Sequence, residues 1–142
     1  MKKYFIDTNV FLRVFTGDNP KMLTECLVLF EKIKKGKISA VTSGIVISEI
    51  VWTLGSFYNF SKDKVTDAVR SILNIPNLEI KDRYSYLKAL DMYKKNSVKF
   101  IDVLIASIYE VQNKELVILS YDKDFDKLGV KRIEPSDIIN RG

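Results

Sequence analysis

The sequence predicts an α/β fold built on a parallel sheet. Two observations carry this expectation. Short β-rich runs alternate with longer stretches of helical period, the pattern of βαβ units, and two acids stand just past the apolar runs Tyr4–Ile6 and Leu116–Leu119, where open parallel sheets bind their ligands. Strands are expected at Lys3–Ile6, Ile38–Thr42, Leu78–Ile80, Leu116–Ser120 and Lys131–Ile133. At 142 residues the chain suits one domain spanning residues 1–142, and a chain of this size hides roughly two thirds of its unfolded surface, enough for a core.

The elements follow in order. The first strand, Lys3–Ile6, has a basic lead-in, but Asp7 ends its apolar run too early for a secretion signal. A helix is expected at Asn9–Phe15. The next, Pro20–Lys35, has Asn19 as cap, Pro at its first position, and Lys34-Lys35-Gly36 at its end. It contains Cys26, the single cysteine, within the apolar-periodic stretch Met22–Phe30, so Cys26 reads as a small buried hydrophobe. Ser43–Phe57 is apolar on almost every face and reads as a helix buried on the sheet, with Trp52 in the core. Ser61 and Asp82 are the expected N-caps of helices at Lys62–Asn74 and Arg83–Asn96. Ile101–Asn113 and a short helix at Asp124–Leu128 complete the set. No apolar run approaches the roughly 18 residues of a membrane span, and one cysteine forms no internal disulfide, so a cytoplasmic protein is expected.

The chain has no histidine. This excludes Ser-His and Cys-His nucleophile pairs, an imidazole base and His-rich zinc sites. Catalysis must run on carboxylates, hydroxyls, Lys, Tyr or an oxygen-bound metal. Asp7 follows the first strand in Asp7-Thr8-Asn9-Val10, and Asp122 holds the same place after Leu116–Leu119, with Asp124 and Asp126 close behind. Glu49 and Asp102 each interrupt an apolar helix, and an unpaired buried carboxylate is costly. Taken singly, each has a plain alternative: an N-cap for Asp7 or Asp122, a helix-dipole complement for Asp102, a lysine partner for Glu49. Together, with no His or thiolate nearby, they point to an oxygen-lined site for a hard divalent cation.

With those residues in place, the chain resembles the PIN-domain family of ribonucleases, and within it the small toxins of the VapC type. The resemblance rests on Asp7-Thr8-Asn9-Val10, Ser48-Glu49, Phe100-Ile101-Asp102-Val103-Leu104-Ile105-Ala106 and Ser120-Tyr121-Asp122-Lys123-Asp124-Phe125, in this order along nearly the whole chain. It implies a three-layer α/β/α fold with a central parallel sheet of about five strands, and Mg²⁺- or Mn²⁺-dependent cleavage of RNA by a metal-activated water. The catalytic acids carry over to Asp7, Glu49, Asp102 and Asp122. Asp124 joins them as a metal ligand, and whether Asp122 or Asp124 is the fourth acid stays open. Thr8, Asn9 and Ser120 are the supporting polar residues.

Setting those five acids aside leaves 13 acids against 23 basic residues, a surplus of 10 where the whole chain has +5, so the remaining surface suits a polyanion. Arg13, Lys99 and Lys123 are the expected RNA phosphate contacts, and Tyr121 with the Trp52–Phe60 stretch offers aromatic faces to bases. The resemblance also implies a homodimer and a small antitoxin partner, with Trp52–Tyr58 and Lys62–Leu73 as the face for one of them. Three alternatives remain. A haloacid-dehalogenase-type phosphatase needs an Asp where Asn9 stands. The others are a housekeeping nuclease of the same family and a non-catalytic protein, either an RNA-binding or assembly module or a receiver-like signalling domain with an acidic Mg²⁺ pocket.

Overall fold

A computed structural model describes residues 2–140. Five parallel strands, β1 (Lys3–Ile6), β2 (Ser39–Thr42), β3 (Leu78–Ile80), β4 (Leu116–Leu119) and β5 (Arg132–Ile133), form one sheet in the order β3-β2-β1-β4-β5. β1 lies at the centre, pairing Lys3 with Ser39 of β2 on one side and Ile6 with Leu119 of β4 on the other. The central position explains its composition: Tyr4, Phe5 and Ile6 are all buried, as is every residue of β4, the continuous apolar run of a strand covered on both faces.

Helices flank the sheet in two groups. The first comprises α1 (Thr8–Thr16), α2 (Pro20–Lys34), α3 (Gly44–Trp52), α4 (Lys62–Leu73) and, from the chain's end, Pro135–Ile139. α5 (Tyr86–Lys95), α6 (Phe100–Ala106) and α7 (Tyr109–Gln112) form the second, and Pro135–Ile139 is therefore α8. No helix among the described residues is long and apolar enough to cross a membrane.

The caps at Asn19 and Ser61 form as expected, accepting from the amides of Met22 and Lys64, and Cys26 is buried. Four expectations need correction. Ser43–Phe57 is not one buried helix. α3 turns inward only Val46 and Ile50, a stripe continued by Leu54 after its end, while Trp52 is 66% exposed and therefore lies outside the core. After α3 the chain widens into a π-helical turn, Thr53–Phe57, closed by the Tyr58 amide on the Thr53 carbonyl. Asp82 does not cap the helix that follows it: its carboxylate accepts from the Tyr84 hydroxyl and from the amide of Gly44, the first residue of α3, so α5 starts later, under Ser85. Ile101–Asn113 breaks between α6 and α7, where the Ser107 hydroxyl donates to the Leu104 carbonyl and accepts the Ser85 amide while Ile108 turns extended. Lys123–Leu128 is a 3₁₀ turn rather than an α-helix. α8 went unanticipated, although Pro135 at its first position and Asp137, accepting the Glu134 amide at 2.8 Å, are ordinary helix-start signals.

Candidate metal centre

Sheet order reverses between β1 and β4, and the carboxyl ends of two strands part there to leave a crevice. Asp7 leaves β1 into it. Its backbone amide still bonds the Leu119 carbonyl of β4 at 3.0 Å, and its side chain caps α1 through the Thr8 amide at 2.8 Å. Its second oxygen accepts the Ser120 hydroxyl at 2.6 Å and the Asn9 amide at 3.2 Å. The orientations are fixed by the partners. Asn9 accepts the Tyr121 amide through Oδ1 at 3.0 Å, so its NH₂ must face Asp7 and Ser120. Ser120 Oγ accepts from Asn9 and from the Asp122 amide, so its single proton goes to Asp7. Asp7, Asn9, Ser120 and Asp122 thus form one hydrogen-bonded unit across β1 and β4. Thr8 is buried, and its hydroxyl has no partner among the described residues.

Asp102 comes from the first turn of α6 and is 2% exposed. One of its carboxylate oxygens, Oδ2, is buried with no donor among the described residues. It shares the crevice with Asp122 and Asp124: each of the three offers an oxygen, and these oxygens lie within 4.8 Å of one another. Asp122 turns one oxygen to the Asp124 amide, 2.9 Å away, and Asp124 also meets Lys127 at 3.1 Å.

Burial pushes the Asp7 carboxyl up to about 6, against the lowering by Ser120 and Thr8, with the Glu49 charge adding to the rise. Asp102 rises to about 7, through burial and the like charges of Asp122, Asp7 and Glu49, opposed by Lys99. Lys99 reports the same crowding from the other side. Burial would lower it, yet the fields of Asp102, Glu49, Asp122 and Asp7 hold its ammonium above the usual value. Its Nζ lies 3.8 Å from Glu49 on α3, which is half-buried rather than enclosed. Arg13 is engaged elsewhere, pairing with Asp18 at 3.0 Å near the far end of α1. Lys123 is exposed at the start of the 3₁₀ turn.

Two positioning residues, Arg132 and Glu25, are not among the sequence candidates. Arg132 grips Asp126 through two nitrogens at 3.0 and 3.1 Å, Glu134 at 3.0 Å and the Ser120 carbonyl at 2.9 Å, fastening β5 to the crevice loop. On α2, Glu25 accepts the Tyr121 hydroxyl at 3.1 Å and Cys26 lies 3.5 Å from it. Burial first, then these two neighbours, raises the Tyr121 phenol well above its usual range. Its ring is therefore half-buried and tied down rather than presented to a ligand. A basic residue inside a short half-buried strand was the available signal for Arg132; a carboxylate on an apolar helix face was the signal for Glu25.

An all-oxygen set with one buried, undonated carboxylate oxygen fits a hard divalent cation: it supplies the charge and leaves a lone pair that a cation would satisfy. The PIN domain family model matches residues 4–131, most of the chain. The chain belongs to the PIN domain family. Among relatives of this PIN domain is a VapC ribonuclease of Aquifex aeolicus, 26% identical over 130 residues, covering 92% of this chain and 95% of the relative. Two solved structures share the fold. VapBC2 of Rickettsia felis, bound to a DNA fragment from their promoter, has a TM-score of 0.67 at 16% identity over 93% of this chain and 98% of its own. VapC20 of Mycobacterium tuberculosis, a sarcin-ricin loop cleaving toxin, has 0.62 at 13% identity over 89% and 95%.

Proposed function

We propose that this PIN domain is a divalent-metal-dependent ribonuclease, acting as the toxin of a toxin-antitoxin pair. The observation that carries the reading is the convergence of carboxylate oxygens of Asp102, Asp122 and Asp124 within 4.8 Å of one another at the sheet's switch point. The kinship with the Aquifex aeolicus VapC ribonuclease supports the activity. The Mycobacterium tuberculosis and Rickettsia felis structures support, through the shared fold, the RNA substrate and the antitoxin partner. A homodimer is part of the same reading.

Asp102, Asp122 and Asp124 would hold the cation, with Asp7 and Glu49 alongside. When bound, Mg²⁺ or Mn²⁺ supplies Lewis-acid neutralisation of the phosphate and lowers the pKa of a water. Asp7, locked by Ser120, Asn9 and the Thr8 amide, keeps a fixed carboxylate at the crevice floor. Glu49, accessible and beside Lys99, is placed to take a proton. The Lys99 ammonium, 61% exposed in its side chain, offers charge to a backbone phosphate, and Lys123 offers a second.

The test is cleavage of single-stranded RNA by the purified protein with Mg²⁺ or Mn²⁺, with EDTA, and as Asp102→Asn. Cleavage should stop in EDTA and fall roughly 100-fold or more in the variant; full activity in either case overturns the reading. For the toxin role, expression alone should arrest growth, and arrest should vanish in Asp102→Asn or with a co-expressed neighbouring antitoxin gene. Cleavage without arrest would favour an RNA-processing role.

A further inference from the structure

Beside the acids, the molecule has a shallow depression that includes Glu49 in its wall. Ile45, Ser48 and Glu49 of α3 form one side, and Asp82, Tyr84 and Tyr86 the other. The second wall is rigid. Asp82 Oδ1 accepts the Gly44 amide at 2.8 Å and the Tyr84 hydroxyl at 2.7 Å. The Ser85 amide donates to Ser107 Oγ at 3.0 Å, pinning the segment to the end of α6. Tyr86 stands at the start of α5, 62% exposed, its ring tilted 68° to that of Tyr84 with centroids 6.3 Å apart. An aromatic face is thereby held open to water at a fixed place beside the acid site.

Charge decides what such a place accepts. Glu49 and Asp82 both border it, and two carboxylates repel a phosphate. They accept a neutral planar group that carries N–H donors. Asp82 Oδ2 takes no hydrogen bond from the described residues, and Gly44 leaves its carboxylate room: a Cβ there would stand 3.1 Å from Oδ1. We propose that this depression is a subsite for an unpaired nucleobase next to the cleaved phosphate, stacked on Tyr86 and offering an exocyclic amino group to Asp82. The proposal rests on the ribonuclease reading and narrows its substrate to single-stranded RNA. A base within a duplex has its faces stacked and its edge paired, so it reaches neither residue. Adenine, cytosine and guanine carry the amino group and uracil does not.

The experiment has two arms. In the first, a single-stranded RNA hexamer containing 2-aminopurine is titrated with Asp102→Asn protein. Its fluorescence should be quenched by stacking, and adding Tyr86→Ala should weaken binding about 10-fold with loss of the quench, while Tyr86→Phe restores both. In the second, oligonucleotides that differ only in the base flanking the cut are cleaved by the wild type, Tyr86→Ala and Asp82→Asn. The loss in Tyr86→Ala should fall mainly on KM, and Asp82→Asn should erase the preference over uracil. Tyr86 makes no hydrogen bond to α3, so its arm stands whatever Asp82→Asn does to folding. Wild-type cleavage with an unchanged KM and quench in Tyr86→Ala overturns the subsite and leaves the ribonuclease reading intact. Tyr86-dependent quenching without any wild-type cleavage overturns the ribonuclease reading and leaves Tyr86 as a base-binding site without cleavage.

Discussion

Asp102 shows at the scale of one residue what the crevice costs the fold. Its carboxyl is raised from 3.8 to about 7, and that of Asp7 to about 6. Both shifts favour the protonated form in the folded state. Their contribution to stability is fully present below the unfolded pKa near 3.8 and is lost as pH rises through 6 and 7. The metal-free protein should therefore melt at a lower temperature at pH 8 than at pH 5. Asp102→Asn should therefore be clearly more stable than the wild type at pH 8 and almost equal to it at pH 4. Parallel melting curves for variant and wild type across this range would contradict that assignment. Asp7→Asn should show no such gain. Asp7 accepts from three donors, and an amide there sets NH₂ against the NH₂ of Asn9 or forfeits the Thr8 amide.

At the scale of elements, the crevice depends on how β5 and α2 hold the loop after β4. Arg132, with its side chain 10% exposed, joins the 3₁₀ turn, β5 and the Ser120 carbonyl through one guanidinium. Arg132→Ala should cost about 2 kcal/mol in chemical denaturation, the scale of lost hydrogen bonds to a charged group. Arg132→Lys should recover less than half, because an ammonium lacks the fork that meets both oxygens of Asp126. A loss within error for Arg132→Ala would show that the loop is held without it. Strand and helix positions were largely legible because burial on both faces of β1 and β4 demands continuous apolar runs. The breaks were not: Ser107 and Asp82 act through partners Ser85 and Gly44, which lie 22 and 38 residues away, and no local pattern records such a bond.

Across the whole molecule, basic residues outnumber acids by five, and by ten once the five candidate-site acids are set aside. RNA affinity should fall with salt, roughly 20-fold between 50 and 200 mM, if about three phosphates are contacted. Binding to Asp102→Asn protein, measured by fluorescence anisotropy, checks this, and a flat salt dependence would remove the charge argument. Millimolar Mg²⁺ or Mn²⁺ should raise the melting temperature of the wild type at pH 8, with a smaller shift in Asp102→Asn. Equal shifts would mean that the cation binds elsewhere.

The sequence by itself determined the α/β class, the alternation of helix and strand, and the acids Asp7, Glu49, Asp102 and Asp122 as candidates, because each interrupts or closely follows an apolar run where a charge needs a reason, with Asp124 added by the family resemblance. Only the tertiary structure decided which of them share oxygens, that Arg13 and Tyr121 are engaged with Asp18 and Glu25, and that Trp52 faces water while Tyr86 stands beside the acids. The physical reason is distance along the chain. Periodicity reports which face of a segment is buried, whereas a site is assembled from bonds such as that of Ser120 to Asp7, 113 residues apart, which exist only once β1 and β4 lie side by side.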